Sequence, residues 1–181
     1  MLVACDGSSH KKPDGTIGGP IGWGFAAEDG FWLSNGLPEG TNQRAELLGL
    51  LSVLITYPKT PLHLQMDSQY ALNTASKWIY GWAKNDWIKG DQKPIKNLDI
   101  IKPLYTVLTK RTDAVIYQWV KGHLKSNAFP LNTVADVRAG EASARAKLIT
   151  DFTNFDVYQD SQGNVENKNQ KYLVDKIFHN K

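Results

Sequence analysis

The sequence predicts an α/β domain whose mixed sheet begins as an antiparallel meander and is extended by helical crossovers. Three observations carry this. Short apolar runs with strand character recur along the chain, the first three of them separated by turn signals. A leucine-rich helical stretch divides the third run from the fourth. The resulting order is three strands, a helix, a strand, helices, a strand and a final helix.

The elements follow in chain order. "MLVAC" is a short apolar run that stops at the turn signal "DGSS", so a strand is expected to end near Asp6. "IGWGFAAEDGFWLSNGL" holds two further strands around Asp29-Gly30, a dipeptide suited to a hairpin. "TNQRAELLGLLSVLITYP" is the clearest helix, capped by Thr41 or Asn42 and closed by Pro58. In "PLHLQMD", Leu62, Leu64 and Met66 alternate with His63, Gln65 and Asp67, the period-two pattern of a strand. A helix from Ser68 to Tyr80 leads into a basic, Trp-bearing excursion, and a further helix covers roughly residues 97–110. "AVIYQWV" is the fifth strand, "KGHLKSNAFPLN" a loop, and "TVADVRAGEASARAKL" an alanine-rich last helix. Past residue 150 the composition turns to Asn, Gln, Asp and Lys, so the domain is set at 1–150 and a C-terminal extension at 151–181. Within the extension "FDVYQDSQGNVEN" reads as a hairpin and "NQKYLVDKIFHN" as a short helix.

Composition narrows the function classes. With 181 residues, 41% hydrophobic and 22% charged, the chain can bury a core as an ordinary globular protein does. Its net charge of +3 is unevenly placed. Lys77, Lys84, Lys89, Lys93 and Lys96 stand against only Asp86 and Asp91, so residues 77–97 alone carry the excess. Such a patch on a nearly neutral body suits a polyanionic partner met on one face. The lone Cys5 excludes an intramolecular disulfide and a cysteine-rich zinc site. No apolar run approaches the roughly 18 residues that span a bilayer, and the N-terminus lacks the order of a signal peptide. A cytoplasmic location is the expectation.

Four acids stand out. Asp6 and Asp67 lie at the C-terminal ends of expected strands, the edge where open sheets gather ligands. Glu46 falls among leucines in the first turns of the connecting helix, and Asp136 opens the last helix after the loop bearing His123. If the two strands are parallel neighbours, their carboxylates meet and Glu46 reaches them from above. Clustered acids stay partly protonated unless a cation neutralises them, and an all-oxygen set favours Mg²⁺ or Mn²⁺. Two such ions about 4 Å apart cleave phosphodiesters, one activating water and the other stabilising the leaving oxygen. Each acid also has a plainer reading. Asp6 could begin a turn, Asp67-Ser68 could cap a helix, Glu46 could snorkel to solvent, and Asp136 could answer a helix dipole. His123 could be an ordinary loop histidine.

The stretches "CDGSS", "TNQRAELLGL", "DSQYALNTASKWIYGWAKNDW", "DQKPIKNLD", "QWVKGH" and "NTVAD" together resemble type 1 ribonuclease H, the ribonuclease HI group of bacteria and phages. They occur in the family's order over roughly residues 1–148. The resemblance implies a ribonuclease H-like fold, a five-stranded mixed sheet in order 3-2-1-4-5 flanked by helices. It implies an endoribonuclease that cuts the RNA strand of RNA–DNA hybrids by a two-metal-ion mechanism, leaving 5′-phosphate and 3′-hydroxyl ends. Its metal-binding carboxylates fall on Asp6, Glu46, Asp67 and Asp136, which hold two Mg²⁺ ions with substrate, Mn²⁺ being the alternative. His123 matches the histidine of the mobile loop that helps protonate the leaving group or release product. The basic excursion matches the family's handle, whose Lys84, Lys89 and Lys93 would lie along DNA phosphates. Asn42 and Gln69 would meet sugars or base edges in the minor groove, where the RNA 2′-hydroxyl is displayed. Thr41 and Asn97 would hold a DNA phosphate, and Arg44 would brace Glu46. Ser8 and Ser9 would occupy the turn beside Asp6. Trp78, Trp82 and Trp87 recur at near-helical spacing; packing is expected for at least two, and one could stack on a sugar. Trp119 is expected in the core, and the protein is expected to act as a monomer.

The chain departs from the family pattern in places. Twelve residues, Phe129-Pro130 among them, separate His123 from Asp136, Arg138 replaces an apolar residue, and Gly140 weakens the last helix. The tail has no family counterpart, and no N-terminal hybrid-binding module is expected. Two rival readings remain at this point: a catalytically silent nucleic-acid-binding module, and another nuclease of the superfamily such as a junction resolvase or transposase-like domain.

Overall fold

The computed structural model describes residues 1–122 and 128–147, and the backbone of 157–159 and 165–166. Strand β1 (Leu2–Ser9) pairs antiparallel with β2 (Ile21–Ala27), which pairs antiparallel with β3 (Trp32–Leu37). Helix α1 (Asn42–Thr56) crosses over to β4 (Leu62–Met66), parallel to β1; β5 (Val115–Trp119) in turn runs parallel to β4. These five strands stand in the order β3-β2-β1-β4-β5, the mixed sheet expected. A hairpin of β6 (Val157–Gln159) and β7 (Val165–Glu166) continues the sheet beyond β3, in the stretch read as a hairpin. The short helix read after it lies outside the described residues.

Strand β1 runs three residues past its expected end. The ladder to β2 continues through Gly7↔Trp23 and Ser8↔Gly22 to Ser9↔Ile21, so pairing overrides the turn propensity of "DGSS". A Cβ on Gly7 would lie 2.4 Å from the Glu46 amide nitrogen; only glycine lets α1 press this closely on β1. Ser8 and Ser9 are thus strand residues, not turn residues.

Each face of the sheet carries its own helical layer. On one face α1 is buried over Ala45–Leu54, which explains why its leucines follow no single stripe. Helix α4 (Leu98–Lys110) contributes Ile100, Ile101 and Leu104 to the same core. On the other face α5 (Pro130–Ala146) lays Ala135, Ala139, Ala142 and Ala146 against the strands. Gly22 and Gly24 of β2 make this contact, since a Cβ on Gly22 would sit 2.2 Å from the Ser143 nitrogen. Small residues on both sides bring α5 close to the sheet and carry Asp136 to its edge.

Helix α5 starts at Pro130, which has no N–H to lose at the first helical position. That is three residues before the sequence reading put it, so Asp136 lies in the second turn and does not open the helix. The side of Gly140 is open, with nothing within 4 Å of an added Cβ. Gly140→Ala is therefore expected to stabilise the protein by about 0.5–1 kcal/mol with unchanged activity. Thermal melts alongside rate measurements check this.

The helix after β4 is less regular than its sequence suggests. It comprises α2 (Gln69–Asn73), a π-helical turn (Thr74–Trp78) and α3 (Ile79–Lys84), ending four residues past Tyr80. The Ser76 hydroxyl donates to the Leu72 carbonyl at 2.7 Å, a side-chain competition that loosens a helical ladder. The basic excursion follows as a chain of tight turns. Asp86, Trp87, Gln92 and Asn97 all have positive φ, and an isolated bridge joins Ile88 to Pro94. Packing holds this strained backbone, with Ile95 buried and the Trp87 ring edge-on to Tyr105 at 5.4 Å.

Candidate active site

In the parallel pairing of β1 and β4, Ala4 stands opposite Gln65. Two residues further on, the same register brings Asp6 beside Asp67. The second turn of α1 adds Glu46 from above, and carboxylate oxygens of the three acids lie within 4.8 Å of one another. Asp136 reaches the same place from α5, close enough to share a hydrogen bond with Asp6. All four line an open cleft of about 390 Å³ at the sheet edge, together with Ser8, Ser9, Asn42 and Ser68.

The cluster is poorly neutralised. Asp6 and Glu46 are only 4% and 5% exposed. Burial, then the negative charges of Asp67 and Asp136, pushes the Asp6 carboxyl up to about 8, although the Gly7 amide donates to its Oδ1 at 2.7 Å. Burial, and then Asp6 and Asp67, also raises Glu46 well above the ordinary glutamate range. Its Oε1 accepts from the Asn42 side chain at 3.3 Å. Its Oε2 is buried with no hydrogen-bond partner among the described residues. The neighbouring Cys5 thiol is pushed up as well, by burial and then by Glu46, Asp6 and Asp67. Converging oxygens, an orphaned buried acceptor and excess negative charge fit hard divalent cations.

The plain alternatives for the acids meet the geometry differently. Ser68, not Asp67, caps α2, its hydroxyl accepting from the Ala71 amide at 3.2 Å. Glu46 does not reach solvent, and Asp6 begins no turn.

Of the remaining candidates, His123 lies outside the described residues. Thr41 is the N-cap of α1, its hydroxyl accepting from the Arg44 amide at 3.3 Å. Gln69 is exposed at the start of α2 beside the cleft. Asn97, left-handed at the start of α4, donates to the Tyr70 hydroxyl at 3.5 Å. Lys84 is exposed at the end of α3, and Lys93 pairs with Asp91 at 3.0 Å. Lys89 lines a second pocket of about 260 Å³ with Tyr70, Trp78, Trp82, Ile95 and Lys96. Sequence reasoning had given Tyr70 no role, and Lys96 only its charge. Their signal lay in the quoted "DSQY" and "KPIKN" blocks, where the acid and the handle lysines drew the attention.

Two of the expected contacts change. Arg44 does not brace Glu46; its guanidinium makes a two-pronged bond to Asp99, with Nη1 to Oδ1 at 3.0 Å. It thereby ties α1 to α4 and holds the Asp99 carboxyl below its usual range. Trp119 is not core, being 48% exposed with its indole N–H donating to the Asp67 carbonyl at 3.0 Å. It lies at the end of β5, which is an edge strand of the sheet. Arg138, which replaces an apolar residue, lies 3.8 Å over the Trp32 ring and pairs with Glu141 at 2.9 Å. Among the helical indoles, Trp82 and Trp87 are half-buried in packing contacts while Trp78 is 42% exposed.

The fold and site define a nuclease-like α/β protein with an acidic cluster compatible with divalent metal. The RNase H family model matches residues 1–144. A ribonuclease H of Tropheryma whipplei is 34% identical over 145 residues, 79% of this chain and 84% of that protein. One from Pseudoalteromonas atlantica is 35% identical, covering 82% and 94%. Ribonuclease HI of Streptomyces coelicolor is 33% identical, the match spanning 78% of this chain and 61% of that longer protein. Among solved structures, LC9-RNase H1, a type 1 RNase H with the type 2 active-site motif, superposes with a TM-score of 0.65 at 19% identity, covering 96% of this chain and 80% of that one. A foamy viral protease-reverse transcriptase in complex with RNA/DNA hybrid gives 0.65 at 18% identity, over 80% of this chain and one fifth (20%) of that one. This chain belongs to the type 1 ribonuclease H family and is a ribonuclease H enzyme.

Proposed function

We propose that the protein hydrolyses the RNA strand of RNA–DNA hybrids, leaving 5′-phosphate and 3′-hydroxyl ends, with two Mg²⁺ ions held by Asp6, Glu46, Asp67 and Asp136. The observation that carries it is the convergence of three buried or half-buried carboxylates within 4.8 Å at one sheet edge, joined by Asp136. Bound there, divalent ions would supply an activated water and offset charge on the leaving oxygen, and Mn²⁺ would suit the same oxygen set. The chain's own residues prepare the site. Asn42 holds one oxygen of Glu46, while the other is buried with no hydrogen-bond partner among the described residues. Gly7 holds Asp6 through its amide. Cations bound there would favour the ionised forms of Asp6 and Glu46, which burial and mutual repulsion disfavour. His123 is assigned to the leaving-group proton or to product release.

The rest of the reading concerns grip. Asn42, which lines the cleft, and Gln69, beside it, would read the minor groove. Thr41 and Asn97, at the starts of α1 and α4, would hold a DNA phosphate. Trp78 and Tyr70, with Lys89 and Lys96, form a pocket with an aromatic wall and a cationic rim, suited to a sugar-phosphate segment of the DNA strand. Lys84 and Lys93 extend the positive charge along it. We read the active species as a monomer.

Cleavage of a hybrid labelled on its RNA strand, in Mg²⁺, tests the function. Wild type should cut the RNA of the hybrid and leave duplex DNA and duplex RNA intact, whereas Asp67→Asn should bind the hybrid without cutting it. A protein that binds hybrid and never cuts it would be the silent module, and cleavage of DNA junctions would point to the other nuclease class. Replacing Lys84, Lys89 and Lys93 together by Ala is expected to weaken hybrid binding about 10-fold or more near 0.1 M salt. The log–log salt slope should fall by about two to three. Lost turnover at saturating hybrid with an unchanged slope would contradict that role. Ca²⁺, larger and loosely coordinated, is expected to bind and inhibit; full activity in Ca²⁺ alone would count against the mechanism.

A further inference from the structure

The end of β5 is built around Asp67. The ladder between β4 and β5 closes with the Val120 amide donating to the Met66 carbonyl at 2.9 Å. One residue further along β4, the chain turns into α2 through the Ser68 cap. The Asp67 carbonyl at this break takes the indole N–H of Trp119 at 3.0 Å. On the other side of the same residue, a Cβ on Gly122 would lie 2.0 Å from Asp67 Oδ2 and 3.0 Å from its carboxyl carbon. The backbone of Gly122 thus occupies the space beside the carboxylate that any side chain would invade. No left-handed φ is recorded at Gly122, so close approach, not conformation, is what demands glycine there.

We propose that Trp119 is a positioning residue for the metal site, holding the main chain of Asp67 through its indole N–H while Gly122 leaves its carboxylate free to face Asp6 and Glu46. The proposal rests on the reading of Asp67 as a metal ligand. A half-exposed tryptophan at the end of an edge strand adds little to the core, and its indole N–H is spent on this residue. Groups that orient a ligand from behind are commonly worth about 10–100-fold in metal affinity or activity. The main-chain bond is one step further from the ion, so the lower end of that range applies.

The test is a Mg²⁺ titration of the substrate-free protein, followed by the backbone amide signal of Gly7, which donates to Asp6. Trp119→Phe keeps an aromatic ring, smaller than the indole, and removes the donor; its Mg²⁺ dissociation constant should rise about tenfold. Hybrid affinity without divalent ions should stay within about twofold of wild type, because an aromatic face is retained there. Gly122→Ala should weaken Mg²⁺ binding by more than Trp119→Phe does. It serves as the second variant if the first folds poorly. Wild-type Mg²⁺ affinity in both folded variants would overturn the proposal. So would a loss of metal-free hybrid affinity in Trp119→Phe with Mg²⁺ binding intact, which would make the indole a substrate surface. If wild type shows no Mg²⁺-dependent shift at all, the metal-site reading itself fails, and the proposal with it.

Discussion

Asp6→Asn is expected to abolish RNA cleavage, by about 10³-fold or more, and at the same time to make the metal-free protein more stable at neutral pH. The two effects share one cause. Burial and the charges of Asp67 and Asp136 raise the Asp6 carboxyl from 3.8 to about 8. A group whose pKa rises on folding favours the fold most when protonated. Its contribution is therefore complete below pH 3.8 and falls away as pH climbs towards 8. An amide carries no charge, so the variant escapes this loss and relieves Glu46 of its strongest repelling neighbour. A gain of about 1–3 kcal/mol at pH 7–8 is expected, discounted from the full shift because the cluster shares its protons. For a chain of this size that amounts to about 3–10 °C in Tm. The gain should shrink in saturating Mg²⁺, where wild type has its counter-charge. A metal-free variant no more stable than wild type at pH 8, and equally so at pH 5, would contradict the electrostatic picture.

The second large effect lies in the pH dependence of metal binding. Cations need the carboxylates ionised, and both Asp6 and Glu46 resist ionisation in the metal-free site. Apparent Mg²⁺ affinity should therefore rise with pH, the Asp6 proton alone contributing about tenfold per unit below pH 8. Calorimetry in buffers of different ionisation enthalpy should show protons released on binding. In Asp6→Asn the steep limb should flatten even where residual binding persists. An affinity independent of pH between 6 and 8 would mean that the acids are already ionised without metal.

Much of this arrangement was legible in the sequence because strand and helix periodicity fix where side chains emerge. The alternation in "LHLQMD" and the cap and leucine content of α1 suffice to bring Asp67 and Glu46 to the edge where β1 delivers Asp6. The five-strand order followed from the family motifs together with that element order. What escaped was set by contacts between distant segments. The turn signal after Asp6 lost to a ladder with β2, which local propensity does not encode. Pro130 read as a loop residue, although the same ring suits a first helical position, and Asp136 was misplaced by that error. The π-helical turn left no mark in the periodicity, yet one extra residue per turn there rotates Trp78 relative to Tyr70. Arg44 was matched to the acid two residues away, when its geometry favoured Asp99, 55 positions on. Trp119 looked like core because apolar strand residues usually are, and nothing in the local sequence says that its strand is an edge.

Anomalous diffraction from crystals of Asp67→Asn and wild type, each grown with Mn²⁺ and a hybrid whose RNA strand is chemically blocked against cleavage, tests the central claim most directly. Wild type should show manganese between Asp6, Glu46 and Asp67, against an RNA phosphate, and the variant should lose or displace it. Ordered hybrid across the cleft with no manganese among these side chains in wild type would contradict the account.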